Sequence, residues 1–136
     1  MFTDAEIDYL NDQGLGRLAT LHPNGSLQVS PVGFSYNPDE KAIEVRGYHL
    51  TGSRKFRNIA ANGKVAFVVD DRPSLEPMRV RCLEIRGRAE ALTGAATPDG
   101  HLDDAVIRIH PERIISFGIE DPDRPPLEQV PHNRNV

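Results

Sequence analysis

Apolar positions in this chain change period as they run, and the changes mark its elements. From Phe2 to Asp12 the spacing is helical: Ile7 and Leu10 form an i,i+3 pair, so a short helix lies on the core by one narrow face. Thr3 and Glu6 make a capping box ahead of it, Phe2 and Ile7 take the staple positions, and Gly14 is placed to stop it. The period then drops to that of strands. Arg17 to Leu21 alternates, His22-Pro23-Asn24-Gly25 has tight-turn chemistry, and Leu27 to Tyr36 is the next strand. Its Gln28, Ser30, Val32, Phe34 face opposes Leu27, Val29, Pro31, Gly33; Pro31 has no N–H and marks an edge, a bulge or a ligand-facing break. Asn37-Pro38-Asp39-Glu40 turns the chain into a strand from Ala42 to Tyr48. Ser53 then caps a helix that runs to Ala61 with Phe56, Ile59 and Ala60 inward, and Asn62-Gly63 ends it.

The second half is strand-rich. Val65 to Val69 is continuously apolar and reads as a central strand; Asp70 to Arg79, with Pro73 and Pro77, reads as a loop. Arg81 to Leu92 is a long strand with Leu83, Ile85, Gly87, Ala89 and Ala91 on one face. Glu84, Arg86, Arg88 and Glu90 fill the other, which faces solvent or a partner subunit. Thr93 to Asp104 is a polar loop, and Ala105 to Ile119 is one strand or two, broken at His110-Pro111. The pattern predicts a mainly β fold: six or so antiparallel strands with two or three short helices, and a small closed or split barrel as the architecture. Residues 1–119 make this domain, and residues 120–136 are a polar, Pro-rich tail, mobile or laid on a neighbour.

Composition narrows the function. The 136 residues carry a net charge of −4, which argues against a nucleic-acid binder working through bulk charge. A single cysteine, Cys82, excludes an intramolecular disulfide and a multi-cysteine metal site. No apolar run has membrane-spanning length, and the N-terminus lacks a basic region followed by an apolar one, so a cytoplasmic location is expected.

Against that acidic background stands a basic knot, Ser53-Arg54-Lys55-Phe56-Arg57-Asn58, at a helix start. Cations in a first helical turn oppose the macrodipole unless an anion joins them, and the same turn presents free N–H groups; the combination suits a phosphate. Gly47-Tyr48-His49-Leu50-Thr51-Gly52 has the glycine spacing of a phosphate-binding loop, but Ser53-Arg54-Lys55 is the wrong order for that motif and no parallel sheet supports it. The histidines are not at metal-ligand spacing, and no metal is expected; His49 alone lies beside the phosphate segment. Cys82 follows Arg81, which can activate a thiol, but no base accompanies it. Asp70-Asp71 and Asp103-Asp104 read as solvated turns. A phosphate clamp without an evident catalytic side chain fits a protein whose cofactor carries the chemistry.

Gly16-Arg17-Leu18-Ala19-Thr20-Leu21, Pro23-x-Gly25 and Gln28-Val29-Ser30-Pro31-Val32 together resemble the opening of the pyridoxamine 5′-phosphate oxidase-like split barrels. The Ser53–Ile59 segment, then Asn62-x-x-Val65-Ala66-Phe67-Val68-Val69-Asp70-Asp71, resembles their cofactor-phosphate segment and the strand after it. Glu84–Ala89 and Ile109–Ile114 resemble the closing strands. The pattern is most similar to the subgroup that uses the deazaflavin coenzyme F420. The resemblance implies a six-stranded split barrel of the FMN-binding type and a homodimer with cofactor sites at the subunit interface. Gln28, Ser30, Pro31 and Val32 would lie against the cofactor ring. Arg46, Gly47, Tyr48, Ser53, Arg54, Lys55, Arg57 and Asn58 would hold the ribityl chain and phosphate, and the partner's 70–79 segment would cover the ring. It further implies hydride transfer to a small enone or activated alkene, with a proton from Tyr48, His49 or water. FMN is the alternative cofactor, and a non-catalytic cofactor carrier the alternative role. An oligonucleotide-binding barrel is disfavoured by charge and sparse aromatics.

Overall fold

The computed structural model describes residues 1–95 and 103–136. Helix α1 spans Asp4–Asp12, followed by strands β1 (Leu15–Leu21), β2 (Leu27–Asn37) and β3 (Ala42–Val45). A single 3-10 turn (Leu50–Gly52) leads into helix α2 (Arg54–Ala61), and then come β4 (Lys64–Leu75), β5 (Met78–Leu92) and β6 (Val106–Phe117). A second 3-10 turn (Pro126–Glu128) and the short β7 (Arg134–Asn135) complete the chain. The antiparallel order is β3-β2-β1-β4-β5-β6-β7, and a β3–β6 pairing closes the first six strands into a ring. The expected six-stranded barrel is therefore present, with a seventh strand added by the tail.

Strand alternation sets inside and outside. Leu18, Phe67, Leu83, Ile85, Ile107, Ile109 and Ile114 are sealed in the interior, where Phe34 meets Phe67 edge-on at 5.2 Å. Burying each such side chain is worth about 1.5–3 kcal/mol. Helix α1 packs at one end, and its capping box is formed as the Thr3–Glu6 pattern predicts. Its buried face is Glu6, Tyr9 and Leu10, with Ile7 only half-buried, because Glu6 finds a partner inside. Helix α1 ends at Gln13 in an extended conformation, so Gly14 is not used as a left-handed cap.

Several sequence expectations are corrected. The strand expected from Ala42 to Tyr48 stops at Val45. Ala60 faces outward, and Asn58 is buried in its stead. The 70–79 segment is not a loop: β4 and β5 continue through it as a hairpin. Pro73 falls where the register shifts between Asp71 and Ser74, and Pro77 sits in the turn. Nor does Pro111 break β6, since a second shift between Arg86 and Gly87 absorbs it. Gly87 is needed there, because a Cβ would stand 2.1 Å from the His110 carbonyl oxygen. The expected 93–104 loop lies largely outside the described residues.

The tail is not loose. Residues Arg134 and Asn135 pair with Ile114 and Arg113 of β6, and the His132 N–H donates to the Ser116 carbonyl. Arg134 reaches back to Glu6, which is fully buried, and donates to the Met1 carbonyl at 2.7 Å. Among the described residues no helix is long and apolar enough to cross a membrane.

Candidate cofactor cleft

Two walls make a cleft of about 230 Å³. One is the middle of β2, with Pro31, Val32 and Gly33; the other is the chain after β3, with Arg46, Gly47, Tyr48 and Leu50, continuing to Ser53 and Lys55 at the start of α2. The cleft exists because β3 pairs with β2 only from Phe34 to Asn37. Residues 27–33 are bonded to β1 alone, so their other edge is open, and Pro31 sits on this stretch without a ladder bond to lose. Gly33 and Gly47 keep the walls low, and a Cβ at either would meet nothing closer than 3.9 Å.

The chemistry of the second wall is cationic. Ser53 caps α2, accepting from the Phe56 N–H at 3.3 Å and donating its hydroxyl proton to the Leu50 carbonyl at 2.6 Å. That proton is committed, so Ser53 shapes the helix start and does not donate to a ligand. The N–H groups of Arg54 and Lys55 find no acceptor among the described residues. No acidic residue lies in the first turn of α2, in contrast to Asp4 and Glu6 in α1. Arg17, Arg81, Arg86, Arg108 and Arg134 each pair with a carboxylate, whereas Arg72, Arg79, Arg88, Arg113 and Arg124 do not among the described residues. Arg46, Arg54, Lys55 and Arg57 enter none of the ion pairs among the described residues. Arg46 adds an orphan, since its Nη1 is sealed from solvent with no hydrogen-bond partner among the described residues. A buried, permanently charged donor left unpaired is costly, and an anion in the cleft would relieve it. The phosphate of a flavin-type cofactor fits this donor set.

Of the residues anticipated from sequence, Pro31, Val32, Arg46, Gly47, Tyr48, Ser53 and Lys55 converge on the cleft. Arg54 and Arg57 are exposed on α2 outside it. Gln28, Ser30 and Asn58 turn toward the barrel interior. There Asn58 donates to the Thr20 hydroxyl at 3.0 Å and to Gln28 Oε1 at 3.4 Å. Tyr48 is 65 % exposed at the cleft mouth. His49 adopts a left-handed backbone (φ 55°), is exposed, and lies off the cleft lining. Gly33 and Leu50 were missed by sequence reasoning. Gly33 was findable, since it follows Pro31 on the same face of β2 at the strand period.

Tyr9 donates to Asp71 at 2.9 Å, and Arg81 grips the same carboxylate with two bonds, at 2.9 and 2.6 Å. Arg81 is thus committed to Asp71, and the Cys82 thiol is pushed up to about 11 by burial and by Asp70 and Glu84, which leaves little thiolate at neutral pH. Glu6, Glu120 and His132 bring ligand atoms within 4.8 Å of one another, a grouping that spacing alone did not reveal. The Arg134 guanidinium already neutralises Glu6, which removes the attraction for a cation.

Residues 2–124 match the pyridoxamine 5′-phosphate oxidase family. A curated relative from Streptomyces rimosus, a 5a,11a-dehydrotetracycline/5a,11a-dehydrooxytetracycline reductase, is 48% identical over 120 residues, covering 88% of this chain and 84% of its own. A solved F420 reductase superposes with a TM-score of 0.58 at 27% identity, over 76% of this chain and 91% of that one. The FAD-binding protein of Mycobacterium smegmatis shares the fold, with a TM-score of 0.63 at 21% identity over 85% of this chain and 93% of that one. A ring of six antiparallel strands, a match running from the first helix into the tail, and a reductase nearly half identical to it lead to one conclusion: this chain belongs to the pyridoxamine 5′-phosphate oxidase family and is an oxidoreductase.

Proposed function

We propose that this protein is a deazaflavin-dependent reductase, a homodimer that binds coenzyme F420 and reduces a small conjugated acceptor such as an enone or activated alkene. The observation that carries the reading is the cationic wall of the cleft, where Arg46 and Lys55 lack carboxylate partners beside the free N–H groups of α2. Lys55, Arg46 and the first-turn N–H groups hold the cofactor phosphate. Pro31 and Gly33, with buried Val32 between them, offer a flat, low wall for a ring system, and Tyr48 stands at the mouth. When bound, a deazaflavin supplies two-electron reduction, which suits a site without a catalytic acid–base pair. Tyr48 is better placed than His49 to give the acceptor a proton, because it lines the cleft. The acceptor class follows the curated relative, whose named substrates are dehydro compounds.

A second copy completes the site in this reading. On the outer face, the register sets Leu21 beside Leu27, Ala19 between Val29 and Ala66, and Arg17 beside Pro31. Leu27 is 82 % and Val29 68 % exposed, so an apolar sheet face runs straight into the cleft. Such a face in a small protein marks an interface. At the tip of the β4–β5 hairpin, exposed Leu75 and Met78 are suited to cover a partner's cleft. Fluorescence titration of the protein with oxidised coenzyme F420 and with FMN, side by side, tests the assignment. Tight saturable binding of the deazaflavin with weak FMN binding is expected. Preference for FMN overturns the cofactor, and binding of neither overturns the reading as a whole.

A further inference from the structure

Thr20 lies inside the barrel, 2 % exposed, and does not line the cleft. Its hydroxyl accepts from Asn58 Nδ2 at 3.0 Å and donates to Gln28 Oε1 at 3.3 Å, and Asn58 reaches the same Gln28 oxygen at 3.4 Å. These three side chains come from α2, β1 and β2 and close on one another. Asn58 is fully buried, and its Oδ1 has no partner among the described residues, so a polar group is kept in the core at a cost. Packing alone gives no reason for it, since an apolar residue beside Ile59 would bury more cheaply.

Placement supplies the reason. Asn58 follows Lys55 by three residues and Arg54 by four, so it sits under them on the same side of the helix, one turn down. Helix α2 is only 8 residues long, and its apolar grip on the sheet is Ile59 with half-buried Phe56. Apolar contact resists separation but not rotation or sliding, whereas a hydrogen bond is directional. At the other end, Gln28 pairs with Thr20 across the strands and precedes Pro31 by three residues on β2. One buried hydroxyl therefore keys both walls of the cleft.

We infer that Thr20 and Asn58 are positioning residues, which fix the start of α2 against β2 and so set the geometry of the anion clamp without touching the ligand. The inference rests on the cofactor reading above. Thr20→Val keeps the shape and removes the hydroxyl; Thr20→Ser keeps the hydroxyl. Titration with oxidised coenzyme F420, alongside thermal melts, separates positioning from stability. Thr20→Val is expected to bind about tenfold more weakly, about 1.4 kcal/mol, and Thr20→Ser to bind as the parent does. Should Thr20→Val fail to fold, Thr20→Ala, which cannot overpack the site, takes its place with the same expectation. A lower melting temperature with unchanged affinity overturns the inference, as does equal weakening by Val and Ser. Lys55→Ala serves as the control: if it weakens binding and Thr20→Val does not, the inference falls and the cofactor site stands. If Lys55→Ala leaves binding unchanged, the clamp assignment and the inference fall together.

Discussion

Replacing Arg134 by alanine tests whether the C-terminal segment is part of the folded unit. Glu6 is fully buried, and Arg134 contacts both of its carboxylate oxygens while donating to the Met1 carbonyl from Nε at 3.2 Å and Nη2 at 2.7 Å. Removing one partner from a buried ion pair costs about 3–5 kcal/mol. The lower end applies here, because the Arg134 side chain keeps 19% of its exposure and the Thr3 N–H still donates to Glu6 at 2.9 Å. For a domain of this size, a loss of about 3 kcal/mol lowers the melting temperature by about 10 °C. The pH dependence is the sharper readout. Burial pushes the Glu6 carboxyl up, but hydrogen bonds from Arg134 and the Thr3 N–H, with the Arg134 charge, pull it below its ordinary value. The parent protein therefore holds this stabilisation above the unfolded carboxyl range, about pH 4.3, and loses it as pH falls through the folded value. In Arg134→Ala burial is opposed only by the Thr3 N–H, the carboxyl rises, and the variant recovers stability relative to the parent on acidification. Melts from about pH 7 down to about pH 4 should show the deficit shrinking, and Glu6→Gln in both backgrounds should abolish that trend. A deficit under about 3 °C at neutral pH, or one that does not change with pH, refutes the reasoning.

Lys55→Ala should weaken deazaflavin binding by about 1.5–3 kcal/mol, the worth of a hydrogen bond to a charged group, with a smaller effect on turnover of the bound state, as read by fluorescence titration and single-turnover kinetics. Val29→Asp on the exposed apolar face should shift the protein toward monomer in sedimentation analysis; a monomeric parent would refute the interface. Gly87→Ala places a methyl 2.1 Å from the His110 carbonyl oxygen, so it should cost about 3 kcal/mol in denaturant unfolding. Cys82, with its thiol pushed up to about 11, should react with iodoacetamide at neutral pH far more slowly than a free thiol until the protein is unfolded.

Local chemistry was legible in the residues. The capping boxes and turn residues act within a few positions, so Thr3–Glu6, the Asn24-Gly25 turn and the Ser53 cap were readable and are present. Strand alternation was equally plain, and with it the buried Leu83, Ile85, Gly87, Ala89 face of β5. The basic knot of α2 could be read as an anion site because cations at a helix start contradict its dipole.

What sequence could not supply was decided by partners far along the chain. Pro73 and Pro111 look like strand breakers, but a register shift beside each lets the ladder continue, and such a shift is a property of two strands together. Glu6 looks like an exposed capping residue; Arg134, 128 positions away, makes its burial tolerable and anchors a tail that reads as loose. Gln28 and Asn58 look like ligand-binding residues by their neighbours, yet Thr20 claims both inside the barrel. Most elements, their polarity and the charge of the site follow from side chains near one another in sequence; the reach of β3 and the 70–79 hairpin do not. Which polar groups are spent on one another and which stay free for a ligand depends on the folded arrangement, because hydrogen bonds and ion pairs are satisfied in space and not along the chain.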